Sequence, residues 1–154
     1  MNWNDYFFNM IEAVKLKSKD PNSQFGCIII GPDNEIRSTG YNSFPRGIND
    51  NIPKRKKRPE KYLWMEHAER NAIYNAARVG TPTKGCTIYI QSMPCMECAR
   101  AIIQSGIIKI IYDNNEFIKY QSIKYDKKIF ERVNQMLSEA GISVIGIDRN
   151  IQKI

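Results

Sequence analysis

Five short apolar runs, interleaved with segments of helical periodicity, are the feature that most constrains how this chain can fold. They lie at residues 25–30, 36–41, 86–91, 107–112 and 142–147. A turn sequence, GPDNE, separates the first two runs, which therefore predict an antiparallel hairpin. Because helices alternate with the later strands, the order predicts a five-stranded mixed sheet sandwiched between helices, an α/β fold.

Four segments carry the helical pattern. Residues 3–19 place apolar side chains at helical spacing, and the sequence Asp20-Pro21-Asn22 is expected to end that helix. Residues 42–62, which contain three prolines, are expected to be irregular. The other predicted helices cover residues 67–78, 95–105 and 121–140.

Length and composition are those of a single domain covering residues 1–154. Hydrophobic residues make up 42% of the chain and charged residues 25%, which is ordinary for a globular protein. No apolar run approaches the roughly 20 residues of a membrane helix, and the N-terminal segment lacks the apolar core of a signal peptide. We therefore expect a cytoplasmic protein with no membrane partner.

The chain is basic, with 23 lysines and arginines against 16 aspartates and glutamates, which gives a net charge of +7. Such an excess favours anionic partners, including nucleotides, without choosing among them. Its densest part is KRKKR at 54–58, within a basic loop at about 42–65. We expect this run to be exposed and solvated, and to raise the association rate of anionic nucleotides without binding a polynucleotide.

Two of the four cysteines form a C-x-x-C pair, Cys95 and Cys98, while Cys27 and Cys86 lie in or beside apolar runs. The isolated two are expected to be free and buried, as small apolar side chains. In a non-secreted chain the pair indicates a metal site or a redox site. Pro94 suits the start of a helix, where backbone N–H groups and the helix dipole favour thiolates.

The only histidine, His67, completes a set of metal ligands. One imidazole and two thiolates make three ligands of a tetrahedral zinc, and a catalytic zinc keeps its fourth position for water. Glu69, near the same helix start, can reach the same cavity and move the proton that such a water releases. The pattern predicts one catalytic zinc per subunit, bound by His67, Cys95 and Cys98.

Two other interpretations of these residues stay open. The C-x-x-C pair alone could be a redox centre, which stoichiometric zinc in the reduced protein would contradict. The zinc could also belong to a non-catalytic binding module, although a structural site gains nothing from a proton shuttle at Glu69.

Similarity to a known family extends well beyond the zinc ligands. The sequences H-A-E at 67–69 and P-C-x-x-C at 94–98 are typical of zinc-dependent nucleobase deaminases. Together with SQFG, GYNSFPRG, HAERNAI and the segment 85–112, they closely resemble the deoxycytidylate (dCMP) deaminase family. The resemblance covers about residues 3–147, the expected catalytic core. It implies a cytidine-deaminase-like three-layer α/β/α sandwich around the five-stranded sheet.

The resemblance also implies a reaction. A zinc-bound hydroxide would attack C4 of the cytosine of dCMP, and Glu69 would shuttle the proton, so that dUMP and ammonia are released for thymidylate synthesis. Asn42 would contact the deoxyribose, and the backbone of Ala68 would contact the base. Ser23 and Tyr112 are further candidates for lining the nucleotide pocket.

Members of this family are commonly homohexamers that dCTP activates and dTTP inhibits at a separate site, and Mg²⁺ could accompany the regulatory triphosphate. Two arginines of the matching segments could supply charge for the phosphates. The family usually has a glycine where this chain has Ser43, which leaves the regulatory response open. The residues that match the regulatory site are Ser43, Arg46, Gly47, Asp50, Asn71, Asn75 and Arg78.

A tRNA adenosine deaminase is the nearest rival, because it shares H-A-E and P-C-x-x-C and because a basic loop would suit tRNA. The sequences GYNSFPRG and HAERNAI resemble the dCMP deaminase pattern more closely. Aromatic residues that could stack on flipped bases are not concentrated near the motifs.

Overall fold

The computed structural model describes residues 1–124 and 126–149. None of the helices in this part is both long and apolar enough to cross a membrane. The strands are β1 (Gly26–Ile30), β2 (Ile36–Tyr41), β3 (Thr87–Ile90), β4 (Lys109–Asp113) and β5 (Ser143–Ile147). The helices are α1 (Trp3–Lys15), α2 (Lys61–Trp64), α3 (Ala68–Val79), α4 (Met96–Gln104), α5 (Asn114–Lys124) and α6 (Lys127–Glu139).

The strands form one mixed sheet in the order β2-β1-β3-β4-β5. Strand β1 pairs antiparallel with both β2 and β3, whereas β3, β4 and β5 run parallel to one another. The predicted hairpin and mixed sheet are therefore confirmed. Ile90, the last residue of β3, lies beside Cys27 near the start of β1, so the chain leaves β3 next to the segment that enters β1.

Helices cover both faces of the sheet, which gives the expected three layers. Helix α1 packs on one face, and α3, α4 and α6 pack on the other. All five residues of β1 are buried, because this strand lies inside the sheet with helices on both sides. The strand residues that face α1 are Ile28, Ile30, Tyr89 and Ile111. Those that face α3, α4 and α6 are Cys27, Ile29, Ile88, Ile90 and Ile110.

Small residues let α3 lie directly on β2. A Cβ atom at Gly40 would come within 2.3 Å of the carbonyl oxygen of Ala68 and 2.4 Å of the backbone nitrogen of Ala72. The hydroxyl of Ser38 donates to the carbonyl of Ala72 at 2.7 Å, and the Cys27 thiol donates to that of Ala68 at 3.1 Å. These contacts fix where α3 begins.

Three helix predictions need correction. The first helix ends at Lys15, not at residue 19, because the chain turns there through hydrogen bonds from Lys17 and Ser18 to the carbonyls of Val14 and Lys15. The second correction concerns residues 42–62, which were predicted to be irregular but contain short helical turns. They contain a 3-10 turn (Pro53–Lys56), and α2 begins at their end.

The predicted single helix at 121–140 is also wrong, since two helices, α5 and α6, share this region. Helix α6 begins after Asp126, whose carboxylate accepts hydrogen bonds from the amides of Lys128 and Ile129 at 3.0 and 3.3 Å. Helix α5 begins directly after β4. Its sequence, NNEFIKYQSIK, spreads apolar residues around the helix and so lacks the periodicity that sequence reasoning looks for.

Candidate active site

His67 occupies the N-cap of α3, so its backbone is extended and lies just outside the helix. Glu69 lies inside the first turn of the same helix. This difference explains how two residues that are only two apart reach one place. Within a regular helix they would project about 200° apart.

Cys95 occupies the N-cap of α4, and its sulfur accepts a hydrogen bond from the backbone N–H of Cys98 at 3.5 Å. Cys98 lies in the first turn and is fully buried. Helix N-termini favour anionic sulfur, because their N–H groups are unpaired and the helix dipole is positive there. The chain passes from β3 through a turn into α4, and this places both cysteine side chains at the N-terminus of α4.

Three side chains converge as candidate metal ligands. His67 Nδ1 lies 3.6 Å from Cys95 Sγ and 3.5 Å from Cys98 Sγ. A tetrahedral zinc with ordinary Zn–S and Zn–N bonds requires ligand separations of about 3.5 Å, so this donor set fits zinc without rearrangement. Within residues 1–124 and 126–149, no other group of three or more His, Cys, Asp or Glu side chains could hold a metal ion.

Contacts among the three candidate ligands determine which of their side chains carries a proton. A hydrogen bond from the Cys98 thiol lowers the pKa of Cys95 to about 3. The same contact with Cys95, together with burial, raises the pKa of Cys98. A hydrogen bond with Cys95 raises the pKa of His67. At neutral pH Cys95 is therefore a thiolate and Cys98 a thiol that must lose its proton to bind a metal.

Glu69 lies beside the ligands without belonging to them. Its carboxylate Oε2 is 3.6 Å from Cys98 Sγ. Burial of the carboxyl raises the pKa of Glu69, although the nearby imidazole of His67 acts in the opposite direction. A raised pKa makes the carboxylate a better proton acceptor, which is what the first step of a proton shuttle requires.

A cavity of about 350 Å³ opens next to these residues. His67, Glu69 and Cys95 line it, as do three of the predicted substrate residues, Ser23, Asn42 and Ala68. The fourth, Tyr112, is not among the lining residues. Its ring packs edge-to-face on Phe117, with 5.5 Å between the centroids, and Phe117 lines the cavity in its place.

The fold and the zinc-ligand geometry together invite comparison with known deaminases. A family model of the cytidine and deoxycytidylate deaminase zinc-binding region matches residues 1–114. The chain belongs to this family. Its members are zinc-dependent hydrolytic enzymes, and the donor set His67, Cys95 and Cys98 lies within the residues that match the zinc-binding region of the family model.

Two animal relatives and one viral structure illustrate the similarity. Human deoxycytidylate deaminase is 39% identical over 122 residues, which cover 76% of this chain and 67% of the human protein. A probable deoxycytidylate deaminase of Caenorhabditis elegans is 39% identical over 122 residues, covering 77% of this chain and 61% of that protein. The chain thus spans about two thirds of the length of these deaminases.

The dCMP deaminase of the cyanophage S-TIM5 shares the fold. Its apo crystal structure matches with a TM-score of 0.69 at 21% identity, over 94% of this chain and 96% of that chain. The same cyanophage enzyme has been solved in complex with dCMP and dUMP. The family assignment and the α/β deaminase fold predicted from the sequence are therefore confirmed.

An ion pair that the sequence did not predict holds one wall of this cavity in place. Lys61 Nζ lies 2.9 Å from Asp20 Oδ2, and both side chains are almost fully buried. Asp20 also accepts hydrogen bonds from the amides of Asn22 and Ser23, and Asn42 donates to the carbonyl of Ser23 at 2.9 Å. The sequence predicts only a helix end at Asp20 and indicates no role for Lys61.

The basic run is more ordered than a solvated loop. The guanidinium of Arg55 stacks over the ring of Trp64, 3.7 Å from its centroid, and donates to the carbonyl of Asn49 at 2.9 Å. Trp64 in turn donates to Glu60 at 2.9 Å. Arg58, the last residue of the run, is exposed and lines the cavity. The run is thus held beside the opening of the site.

The residues that resemble the family's regulatory site lie apart from the cavity lining, in the segment after β2 and along α3. Asn71 donates to Ser43 Oγ at 3.2 Å, and Arg46 donates to Asn75 at 2.5 Å. The other three lie nearby along the chain and belong to neither pair: Asp50 forms an ion pair with Lys19, Gly47 has a left-handed backbone (φ 83°), and Arg78 is exposed on α3.

Ser43 forms a short two-stranded bridge with Glu66, the residue before His67. The Ser43 amide donates to the Glu66 carbonyl at 3.1 Å, and the Glu66 amide donates to the Ser43 carbonyl at 2.8 Å. Among residues 1–124 and 126–149, Asn34 is the only non-glycine residue with positive φ. The backbone at Ser43 therefore does not require a glycine, although the family usually has one there.

Zinc binding at pH 7 should release at least one proton per ion. Cys98, whose pKa is raised, must give up its proton, the raised pKa of His67 increases competition from protons, and Cys95 is already ionised. Because protons compete with the metal, zinc affinity should fall as the pH is lowered. Calorimetric titration in buffers of different ionisation enthalpy measures the release, and a binding enthalpy independent of the buffer would contradict it.

Proposed function

We propose that this chain is a zinc-dependent deaminase that converts dCMP and water to dUMP and ammonia. The observation that carries the proposal is the convergence of His67, Cys95, Cys98 and Glu69 on one cavity in a chain of this family. The relatives named deoxycytidylate deaminase support dCMP as the substrate. The hydrolytic step adds water at C4 of cytosine and breaks the C4–N bond of the amino group.

Glu69 is the residue that would move protons in this reaction. Zinc supplies a water made acidic enough to attack at neutral pH. Glu69 accepts the proton released by that water, passes it to N3 of the ring, and then assists departure of the amino group as ammonia. Burial raises the pKa of Glu69, which makes its carboxylate a better proton acceptor than an exposed glutamate.

The cavity offers groups for the rest of the nucleotide. We assign the Ala68 backbone to the base and Asn42 to the deoxyribose, with Ser23 beside it, because all three line the cavity next to the metal ligands. The Asn42 side chain is held by the Phe25 amide at 2.8 Å and by the Ser23 carbonyl, so it has one orientation. A fixed amide can discriminate sugar hydroxyls.

Arg58 is the best candidate for binding the 5′-phosphate. Lys61, the other long cation lining the cavity, is taken up by its buried ion pair with Asp20. Among the described residues, no carboxylate lies within 4.0 Å of the Arg58 guanidinium. Arg58 lies over the ring of Tyr62, 5.9 Å from its centroid, and a guanidinium that no carboxylate of the described residues occupies can bind phosphate through two parallel hydrogen bonds.

Replacing Glu69 with glutamine should lower kcat for dCMP by about 10²- to 10⁴-fold while zinc stays bound, since Glu69 shuttles protons and is not a ligand. The folded protein should be as stable as wild type or more stable, because a buried carboxyl with a raised pKa costs stability when it ionises at neutral pH. Ultraviolet-monitored deamination, zinc analysis and urea unfolding measure the three effects. Turnover unaffected by the substitution would contradict the mechanism.

Arg58→Gln should raise KM for dCMP by about ten- to a hundredfold at every salt concentration, and leave deoxycytidine, which lacks the phosphate, unaffected. The matched control is Lys57→Gln, which removes the same charge from the neighbouring exposed residue outside the cavity lining. It should raise KM slightly and only at low salt, as expected for long-range attraction. Equal effects of the two substitutions would exclude a direct contact at Arg58.

We also propose that the protein is a cytoplasmic homohexamer regulated by dCTP and dTTP, with Mg²⁺ on the triphosphate. Two hydrogen-bonded pairs that lie outside the cavity lining, Asn71 with Ser43 and Arg46 with Asn75, support a regulatory site outside the catalytic cavity. We expect deamination of dCMP to rise with dCTP and fall with dTTP, and Arg46→Gln to weaken both responses without changing basal kcat. Indifference to both nucleotides would remove the regulatory site and leave the chemistry. No turnover of dCMP in any mixture would overturn the proposed substrate and point to tRNA adenosine.

A further inference from the structure

One arginine joins the two segments that carry the zinc ligands. Arg70 follows Glu69 in α3, and its side chain is 13% exposed. Its Nε donates to Glu66 Oε1 at 2.5 Å, and its Nη1 donates to Glu97 Oε2 at 2.7 Å. The planar guanidinium thus spans two carboxylates, one from the segment that precedes α3 and one from the first turn of α4.

Both carboxylates belong to residues adjacent to ligands. Glu66 immediately precedes His67, and its Oε1 also accepts the backbone N–H of His67 at 2.9 Å. Glu97 lies between Cys95 and Cys98 in the first turn of α4. Arg70 therefore connects the peptide that holds the imidazole with the helical turn that holds both thiolates. We name Glu66, Arg70 and Glu97 the arginine clamp.

We propose that the arginine clamp is a positioning device that presets the distance between the histidine and cysteine ligands and so slows the loss of zinc. The ligands come from the starts of two helices that pack side by side, and small rotations of either start would separate them. Hydrogen bonds around a metal site that fix its ligands commonly change metal affinity by about 10- to 100-fold. Arg70 itself is not a ligand and has no assigned role in the chemistry.

The two arms of the clamp differ in strength. Glu66 is partly buried and bound through two nitrogens of Arg70, whereas the Glu97 side chain is 65% exposed. A solvent-exposed arm is weakened by water and salt. Removing Glu97 should therefore have a smaller effect than removing Arg70. It should also leave folding unaffected, because the Glu97 side chain is mostly exposed.

The experiment measures zinc release from the purified holoprotein into excess chelator with a chromogenic indicator. Arg70→Met, which keeps the length of the side chain, should speed release by about 10- to 100-fold. The matched control is Arg149→Met. Arg149 is also nearly buried and also spans two carboxylates, Glu12 at 3.0 Å and Asp113 at 3.5 Å, but it joins α1 to the end of β4, where no zinc ligand lies.

Arg149→Met should lower the urea midpoint and leave the zinc release rate within about twofold of wild type, so the comparison separates positioning of the ligands from general stability. Glu97→Gln, on an exposed residue, should speed release by about threefold to tenfold with an unchanged urea midpoint. The visible absorption of the cobalt-loaded protein should shift in Arg70→Met and not in Arg149→Met, since it reports ligand geometry.

Wild-type release rates in both Arg70→Met and Glu97→Gln would overturn the clamp. Equal acceleration in Arg70→Met and Arg149→Met would overturn it as well, because general loosening of the fold would then explain the effect. The inference rests on zinc binding by this family and not on the choice of dCMP, since none of these measurements uses a nucleotide. A failure of the proposed substrate would therefore leave the result interpretable.

Discussion

The site depends on the meeting of two helix N-termini, those of α3 and α4. His67 and Cys95 both occupy N-cap positions, where the backbone is extended and the side chain can project beyond the end of the helix. Glu69 and Cys98 follow in the first turns. Starting either helix one residue earlier would rotate its side chains by about 100°, which would separate the ligands. The positive ends of both helices also favour the negative charge of thiolates.

The rest of the fold serves to hold those two starting points. Gly40 brings the backbone of α3 against β2, and the thiol of Cys27 in β1 donates to the carbonyl of Ala68. Parallel pairing of β3 with β4 and antiparallel pairing with β1 place the end of β3, and hence Cys95, at the same edge as the start of α3. Because the approach is a backbone contact, larger side chains at Gly40 would displace the helix, whatever their polarity.

The sequence was most informative where a local pattern has one physical meaning. The five strands, the two buried free cysteines and the zinc-ligand set followed from apolar runs, spacing and donor chemistry, and the structure places Cys27 and Cys86 in the core. Helix α5 was not predicted as a separate helix because its apolar residues lack a helical period. A signal was available, since Asp113 is followed three residues later by Glu116, the spacing of a helix start. Asp113 does accept hydrogen bonds from the amides of Asn115 and Glu116.

Interactions between charges far apart in sequence were beyond such reasoning. Nothing local distinguishes Lys61 from the basic run before it, and only the fold brings it to Asp20, 41 residues away. Arg70 likewise reads as an ordinary surface arginine until α4 brings Glu97 beside it. The cavity walls depend on such pairs, so the grouping of the candidate metal ligands could be predicted from the sequence while the walls of the cavity could not.

The bridge between Ser43 and Glu66 limits the free energy by which the proposed regulatory segment and the metal site can affect each other. It consists of two backbone hydrogen bonds, each worth about 0.5–1.5 kcal/mol. A nucleotide that makes or breaks the bridge could shift the conformational balance at His67 by about 1–3 kcal/mol, which corresponds to a change of roughly 5- to 150-fold in affinity or population. By linkage, zinc and the effector would then change each other's affinity by the same factor, so metal content itself would report on effector binding.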